Sequence, residues 1–199
     1  MMVEDYSFEE GFMTDGSVVI FPTDTVYGLA ARLYDMDAYK KIETIKTDKP
    51  IKYAILCDTL VSVNDLVVID ERAKKLMMAF WPGALTIILK SSRSHYEKTG
   101  QKTIGVRIPN HNAAIRLIKK NGPLLTTSVS IDDEPLLTMD EIKKHYQTKV
   151  DYIYEEYNAY YLNVTSTTID LSEPTIKYLR IGSISKQDIE SVIGQDFQI

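Results

Sequence analysis

The sequence has a single cysteine and few histidines, and this scarcity excludes several kinds of chemistry. Cys57 is the one cysteine among 199 residues, so the chain can form neither an internal disulfide nor a metal site built from several thiolates. It lies in an apolar run, where a buried and unreactive thiol is expected. The three histidines lack metal-ligand spacing, and we expect His95, His111 and His145 to be surface residues without a catalytic role.

Long apolar runs and an excess of basic residues are also absent. No stretch approaches the roughly 20 apolar residues of a membrane-spanning helix, and the first residues have no basic segment typical of a signal peptide. We therefore expect a cytoplasmic protein with no membrane partner. The formal net charge of −5 and the pI near 5.3 argue against bulk electrostatic coating of nucleic acid, but they permit a local basic groove.

Length and composition are those of an ordinary globular protein. The chain is 44% hydrophobic and 26% charged, and its length fits one domain over residues 1–199, with a motif-bearing core at about 8–193. Strands and helices alternate, which predicts a mixed α/β sheet covered by helices. Strands are predicted at 17–21, 53–57, 85–90, 103–108, 124–127, 150–154, 167–171 and 175–179. Helices are predicted at 37–46, 70–80, 112–120, from 138 onward and at 185–193, and the polar segment 91–102 is interpreted as a mobile loop.

Polar residues gather where the first strand ends. The apolar segment 17–21 runs directly into Pro22-Thr23-Asp24-Thr25, with Gly28 three residues later. Such a strand end can hold a polar ligand. A tight turn in which Thr23 and Asp24 cap the backbone explains the same pattern.

Two later strands present side chains suited to anions. The period of two places Thr103, Gly105 and Arg107 on one face of a strand, and a guanidinium there can bind a carboxylate or phosphate through two parallel hydrogen bonds. An arginine on a solvated strand face is the alternative. Thr126 and Ser128 alternate in the same way, and their hydroxyls can hold phosphate oxygens. No paired carboxylates and no Ser-His-Asp order accompany them, so the sequence predicts an anion-binding site without a catalytic side chain.

A short lysine cluster follows the first predicted helix. Lys46, Lys49 and Lys52 lie within seven residues around Pro50. A solvated lysine run is the simpler interpretation. Contact with a bound anion is the alternative.

Five motifs, in order along the chain, give the sequence its resemblance to a known family. They are Pro22-Thr23-Asp24-Thr25-Val26-Tyr27-Gly28-Leu29, Trp81-Pro82-Gly83-Ala84-Leu85-Thr86, Thr103-Ile104-Gly105-Val106-Arg107-Ile108-Pro109, Thr126-Thr127-Ser128-Val129-Ser130 and Ser166-Thr167-Thr168-Ile169-Asp170. Together they span about residues 17–182, and the chain resembles the YrdC family. This resemblance implies the YrdC-like fold, a single-domain twisted mixed sheet flanked by helices around a large concave, basic cavity.

The resemblance also implies a function, that of a threonylcarbamoyl-AMP synthase. Such an enzyme combines L-threonine, bicarbonate and ATP, with Mg²⁺, to give threonylcarbamoyl adenylate and pyrophosphate. The product supplies the threonylcarbamoyl group for an adenosine in tRNA, so tRNA or double-stranded RNA and tRNA-modification transferase proteins are implied partners. The residues implied around threonine are Thr23, Arg107, Thr126 and Ser166. The residues implied around ATP are Lys46, Lys49, Lys52, Thr103, Ser128 and Arg180.

Three features of the chain depart from the family pattern. Lys49 stands before Pro50 where the family has arginine, which keeps the charge but loses the fork geometry. Ser130 stands where the family has asparagine and lacks the paired donor and acceptor of an amide. The tyrosine-rich segment 152–161 replaces a glycine-containing turn, and it either stacks on a base or forms the aromatic face of an edge strand.

The departures at Lys49 and Ser130, together with the string Lys102-Thr103-Ile104-Gly105-Val106-Arg107, are the features that point to an alternative beside the synthase. The YciO-type branch of the same fold contains members that bind RNA or a nucleotide without robust synthase activity. A nonenzymatic RNA-binding module is a third interpretation, which the acidic pI disfavours.

Overall fold

A nine-stranded mixed sheet organises the chain. The structure is a computed structural model that describes residues 11–46, 50–155 and 164–194. The strands of the sheet are β1 (Val19–Phe21), β2 (Gly28–Arg32), β3 (Ala54–Leu56), β4 (Leu85–Lys90), β5 (Thr103–Arg107), β6 (Leu124–Ser128), β9 (Tyr152–Ile153), β10 (Thr167–Asp170) and β11 (Lys177–Arg180). A separate hairpin contains β7 (Ser130–Ile131) and β8 (Glu134–Pro135).

Seven described helices flank the sheet. They are α1 (Met36–Ile45), α2 (Leu60–Asn64), α3 (Glu71–Phe80), α4 (Arg93–Thr99), α5 (Asn112–Asn121), α6 (Met139–Tyr146) and α7 (Lys186–Ile193). The strand order is β11-β10-β4-β5-β3-β6-β2-β1-β9. The pairs β10–β4, β3–β5 and β1–β9 are parallel and the other neighbouring pairs are antiparallel. The predicted mixed α/β sheet with flanking helices is therefore confirmed.

The alternation of side chains along the strands gives the two faces of the sheet different roles. One face is apolar, with Ile55, Ile87 and Val106 buried beneath helices α3 and α7. The opposite face carries small and polar side chains over its central strands, because the register aligns Ala54 with Gly105 and with Thr126. Helix α5 covers only one end of this second face. The remainder of that face is the floor of a cavity.

Helix boundaries follow the capping residues in the sequence. Asp70 accepts a hydrogen bond from the amide of Ala73 at the start of α3, and Thr138 caps α6 in the same way. Ser185 and Asp188 form a capping box at α7. Each cap satisfies an amide that lacks a partner in the first turn, and the predicted helix positions are confirmed.

The interpretation of residues 91–102 as a mobile loop was wrong. Residues Arg93–Thr99 form helix α4, which Ser92 caps by accepting from the amide of His95, and Gly100 ends the helix in the left-handed conformation at φ 71°. The helix is short and mostly polar, so it lacks the apolar periodicity on which the sequence prediction relied. Its capping residues were the available signal.

The prediction that all three histidines are surface residues was wrong for His95. His95 on α4 is 1% exposed, and its Nδ1 lies 3.0 Å from the hydroxyl of Tyr34. His111 precedes α5 and is partly buried, as is His145 on α6. The expectation of a buried, unreactive Cys57 is confirmed, since burial raises the pKa of its thiol to about 12.

The edge strand β9 accounts for the start of the tyrosine-rich segment. Tyr152 on this edge strand packs edge to face against Tyr154, which directly follows the strand, at 4.5 Å between ring centroids. Residues 156–161 of that segment lie outside the described residues. Across the three described ranges, no helix combines the length and the apolar character that crossing a membrane requires.

We predict that His95 makes the stability of the fold sensitive to acid. Burial lowers the pKa of His95, so the unfolded chain binds more protons at this residue and stability declines as the pH falls below about 6.5. Urea unfolding between pH 5 and 8 should show a weaker pH dependence for His95→Gln than for the original chain. His145→Gln is the matched control, and an equal change in both variants would contradict the prediction.

Candidate functional site

A cavity of about 730 Å³ lies over the polar part of the sheet. Its floor follows from strand register, which places Thr86 beside Thr168 and Gly28 beside Ser128 on the same face. Turns and the β7–β8 hairpin supply the walls. The serine and threonine residues that line the cavity are Thr23, Thr25, Thr86, Thr126, Thr127, Ser128, Ser130, Thr165, Ser166 and Thr168.

The structure brings together eight of the ten residues that the sequence assigned to the site. They are Thr23, Lys46, Lys52, Arg107, Thr126, Ser128, Ser166 and Arg180. Lys49 lies outside the described residues. Thr103 is not among the residues that line the cavity; it is exposed at the start of β5 and pairs with Lys90. The alternation of side chains along β5 puts Thr103 on the same face as Arg107. That alternation does not show how far along the strand the cavity extends.

Arg107 is buried in a network that joins three separate motifs. Its Nη2 donates to Asp24 Oδ1 over 2.5 Å, its Nη1 donates to Thr25 Oγ1 over 2.9 Å, and its Nε donates to the Gly83 carbonyl over 2.9 Å. The two charged side chains are 6% and 11% exposed. These contacts use three of the five guanidinium hydrogens, so the fork retains donor capacity for a ligand in the cavity.

Thr23 shapes the turn that carries Asp24 and Thr25. Its hydroxyl donates to the Val26 carbonyl over 2.7 Å and accepts from the Thr25 amide over 3.1 Å. Thr23 therefore caps the turn as the first alternative predicted, whereas Asp24 pairs with Arg107. Gly28 follows the turn and pairs with Phe21. A glycine is required at this position because an added Cβ would lie 2.8 Å from Thr126 Cγ2.

A second guanidinium, that of Arg180, also lines the cavity. Arg180 donates from Nε to the Ser166 carbonyl over 2.9 Å and from Nη2 to Ser166 Oγ over 3.0 Å. Ser166 Oγ also lies 3.0 Å from Thr86 Oγ1. No carboxylate pairs with Arg180 within the described ranges, in contrast to Arg107.

Two lysines complete the cationic lining. Lys46 is buried and its Nζ contacts Ser130 and the Ser128 carbonyl. Lys52 lies at the rim, where its Nζ is 3.3 Å from Asp133 Oδ1 and both side chains are largely exposed. The exposed pair contributes little to stability.

Burial sets the electrostatics of the cavity. Burial lowers the pKa of Arg107, Asp24 opposes that shift, and the positive charge of Arg180 adds to it. Burial also lowers the pKa of Arg180. An arginine remains protonated in proteins, so the cavity holds two cations that have lost hydration. Asp24 offsets the charge of Arg107, whereas a bound anion could offset the charge of Arg180.

Gly182 fixes the position of Ser166 through backbone contact. A Cβ at Gly182 would lie 1.9 Å from the Thr165 carbonyl oxygen. The Gly182 amide donates to Thr167 Oγ1 over 2.9 Å, and Thr167 is fully buried. The close approach of these two segments places Ser166 and Arg180 side by side.

Sequence reasoning missed several residues of the site. Asp24, Thr25 and Thr86 belong to the quoted motifs, but the sequence assigned them no role in binding. Gly83 contributes only its carbonyl, so no side-chain signal could reveal it. The motifs themselves were the available signal for the other three residues.

The fold and the site define a mixed α/β domain with a polar, cationic cavity, and comparison with known proteins agrees. The family model of the Sua5, YciO and YrdC proteins, described as telomere recombination, matches residues 11–182. The chain belongs to this family.

Two relatives carry the name threonylcarbamoyl-AMP synthase. The protein of Bacillus subtilis is 35% identical over 191 residues, which cover 92% of this chain and 54% of the relative. The protein of Pyrococcus abyssi is 34% identical over 196 residues, which cover 93% of this chain and 56% of the relative. The chain therefore spans about half the length of each.

Solved structures of a Sua5 protein and of a YciO protein both align with this chain. Pyrococcus abyssi Sua5 complexed with L-threonine aligns with a TM-score of 0.85 at 32% identity, covering 98% of this chain and 59% of that chain. Escherichia coli YciO aligns with a TM-score of 0.78 at 28% identity, covering 87% of both chains.

We predict that Asp24 is essential to the fold because it compensates a buried charge. Asp24→Ala leaves the Arg107 guanidinium unpaired and should lower the free energy of unfolding by about 3–5 kcal/mol. The double variant Asp24→Ala/Arg107→Met should recover part of that loss in urea unfolding.

The matched control is Asp15→Ala, which removes an exposed partner of Arg32. A surface pair is worth about 0–1 kcal/mol. Equal losses for Asp24→Ala and Asp15→Ala would contradict the prediction.

We predict that Gly182→Ala disturbs the Ser166–Arg180 end of the cavity. The clash with the Thr165 carbonyl should cost about 1–3 kcal/mol in the free energy of unfolding and weaken anion binding in calorimetry. Gly100→Ala is the control, because its added Cβ meets nothing within 4 Å and its φ of +71° strains only the end of α4. Unchanged anion affinity in Gly182→Ala would contradict the prediction.

Proposed function

We propose that this chain is a threonylcarbamoyl-AMP synthase domain that joins L-threonine, bicarbonate and ATP. The observation that carries the proposal is the cavity in which the buried Arg107 and Lys46 and the half-buried Arg180 lie beside a floor of hydroxyls. Such a cavity suits two anionic substrates held together. The similarity to relatives named threonylcarbamoyl-AMP synthase and to Sua5 complexed with L-threonine supports the choice of reaction.

The chemistry requires no protein nucleophile. The threonine amine and bicarbonate form a carbamate with loss of water. A carbamate oxygen then attacks the α-phosphorus of ATP, the bond from that phosphorus to the β-phosphate oxygen breaks, and pyrophosphate leaves. The protein accelerates such a displacement by positioning the reactants and by stabilising negative charge in a dry site.

We assign a separate set of residues to each of the two substrates, threonine and ATP. Threonine is held by Thr23, Arg107, Thr126 and Ser166. The polyphosphate is held by Lys46, Lys49, Lys52, Ser128 and Arg180, and Thr103 is no longer included because it lies away from the cavity. Arg107 is suited to a carboxylate because its charge is already offset by Asp24, so it offers directed hydrogen bonds rather than a strong net attraction.

We infer that Mg²⁺ arrives with ATP. Within the described ranges, no group of three or more histidine, cysteine, aspartate or glutamate side chains is placed to hold a metal ion. Asp133 is the carboxylate among the described residues that line the cavity. Magnesium is commonly bound by one carboxylate together with substrate phosphates, and Asp133 fits that arrangement.

The YciO-type function is the second candidate, and Ser130 is the observation that favours it. The residue lies at the cavity, where the family pattern has asparagine, and it contacts Lys46. In this alternative the cavity binds a nucleotide or RNA without robust synthase activity. The tRNA-modification transferase partners apply only to the first candidate.

The decisive prediction is threonine-dependent release of pyrophosphate. Purified protein with ATP, bicarbonate and Mg²⁺ should release pyrophosphate only when L-threonine is present, because the carbamate is the attacking group. Omission of bicarbonate should have the same effect as omission of threonine. ATP binding without release would favour the YciO-type function, and a steep loss of RNA affinity with salt would then indicate RNA binding.

A further inference from the structure

Three polar side chains form a hydrogen-bonded cluster in the cavity. Arg180 Nη2 lies 3.0 Å from Ser166 Oγ, which in turn lies 3.0 Å from Thr86 Oγ1. All three residues line the cavity, and Thr86 and Ser166 are 6% and 5% exposed. The function proposed above assigns Ser166 to threonine and Arg180 to the polyphosphate, and it gives Thr86 no role. The residues assigned to the two substrates therefore touch each other at this cluster.

The two hydroxyls of the cluster have more hydrogens than their mutual contact can use. A guanidinium can only donate, so Ser166 Oγ accepts from Arg180. Apart from these contacts, neither hydroxyl has a hydrogen-bond partner among the described residues. Whichever hydroxyl donates in the contact between Ser166 and Thr86, the other retains its hydrogen for a ligand. Donation from a cation makes Ser166 the stronger donor of the two, which leaves the hydrogen of Thr86 for that ligand.

Arg180 also retains donors. Its Nε donates to the Ser166 carbonyl, and its Nη2 donates to Ser166 Oγ and, over 3.3 Å, to Thr168 Oγ1. The two hydrogens of Nη1 have no protein partner within the described ranges. The cluster therefore offers a cation and a buried hydroxyl donor, a combination suited to a ligand with two anionic oxygens.

The sheet leaves room for a small ligand beside Thr86. Strand register aligns Gly105 with Ile88 on one side and with Ala54 on the other. A Cβ at Gly105 would lie 3.3 Å from Thr86 Cγ2 and 3.6 Å from Ala54 Cβ. Any side chain larger than glycine would crowd Thr86, whereas glycine keeps the adjacent space open.

The chemistry of the reaction requires one small group between its two larger substrates. In threonylcarbamoyl adenylate, the carbon supplied by bicarbonate is bonded to the threonine nitrogen and, through an oxygen, to the α-phosphorus. We propose that the cluster of Arg180, Ser166 and Thr86 binds this bicarbonate-derived carboxyl group, with Thr86 as a further substrate-binding residue. This inference rests on the proposed function, which assigns residues to threonine and to ATP but none to bicarbonate.

Thr86 selects which carboxyl oxygen reacts. Its hydroxyl donates to one oxygen of the carbamate, and that oxygen becomes the carbonyl oxygen of the product. The other oxygen forms the bond to the α-phosphorus, while the bond to the β-phosphate oxygen breaks and pyrophosphate leaves with its electron pair. Arg180 offsets the negative charge where the carboxylate and the α-phosphate approach each other.

Isotope-labelled bicarbonate tests the site without turnover, by carbon NMR with the full chain. Exchange with the site should broaden the bicarbonate signal. Thr86→Val keeps the shape but removes the hydroxyl, so it should weaken bicarbonate binding by about tenfold, whereas Thr86→Ser should retain it. Thr44→Val is the matched control, because it makes the same change on the exposed side of α1. No broadening with the original chain, or equal losses in Thr86→Val and Thr44→Val, would overturn the proposal.

AMP distinguishes the carboxyl group from the other anion expected near this cluster, the α-phosphate. Thr86→Val should leave the affinity for AMP unchanged in calorimetry, whereas Arg180→Met should weaken the binding of both AMP and bicarbonate. Weaker AMP binding in Thr86→Val, with bicarbonate binding unchanged, would assign the Thr86 hydroxyl to the α-phosphate and reject its role toward bicarbonate.

The two proposals fail in different ways. Bicarbonate binding requires no turnover, so a chain without threonine-dependent pyrophosphate release can still show line broadening that depends on Thr86. In a chain that does release pyrophosphate, Thr86→Val should raise the KM for bicarbonate by about tenfold and leave the KM for ATP unchanged. An unchanged KM for bicarbonate would reject the role of Thr86 and leave the synthase function intact.

Discussion

The buried ion pair between Arg107 and Asp24 is the interaction on which the rest of the site depends. It joins the turn after β1 to the end of β5, and a third bond from Arg107 adds the Gly83 carbonyl. Two charges removed from water cost several kcal/mol each unless their geometry is good and their remaining donors are satisfied. Three motifs far apart in sequence must therefore meet at one point for the cavity to exist.

The sheet allows this charged cluster to coexist with a stable core. Side chains alternate along each strand, so one face can be mainly apolar beneath α3 and α7 while the other carries hydroxyls and guanidinium groups. The same separation explains how a chain with a net charge of −5 can hold a basic cavity. The buried cations Lys46 and Arg107 face inward, whereas the acidic excess lies elsewhere on the chain.

Shared architecture also explains why the two candidate functions are difficult to separate by fold alone. Relatives named threonylcarbamoyl-AMP synthase and a relative named YciO match this chain at similar identity. The fold therefore does not decide between the two candidate functions. Ser130 lines the cavity at a position where the resemblance implies an asparagine.

The sequence by itself determined the family, the class of the sheet and most element positions, because capping residues and apolar periodicity act over a few residues. It missed α4, whose polar residues have no periodicity. It also could not separate Thr103 from Arg107, because alternation defines a face and not a position along it. Only the tertiary structure decided that Asp24 pairs with Arg107, that Lys46 binds Ser130 and that His95 is buried. Those contacts join residues distant in the chain, and no local pattern records which distant groups will share a desolvated site.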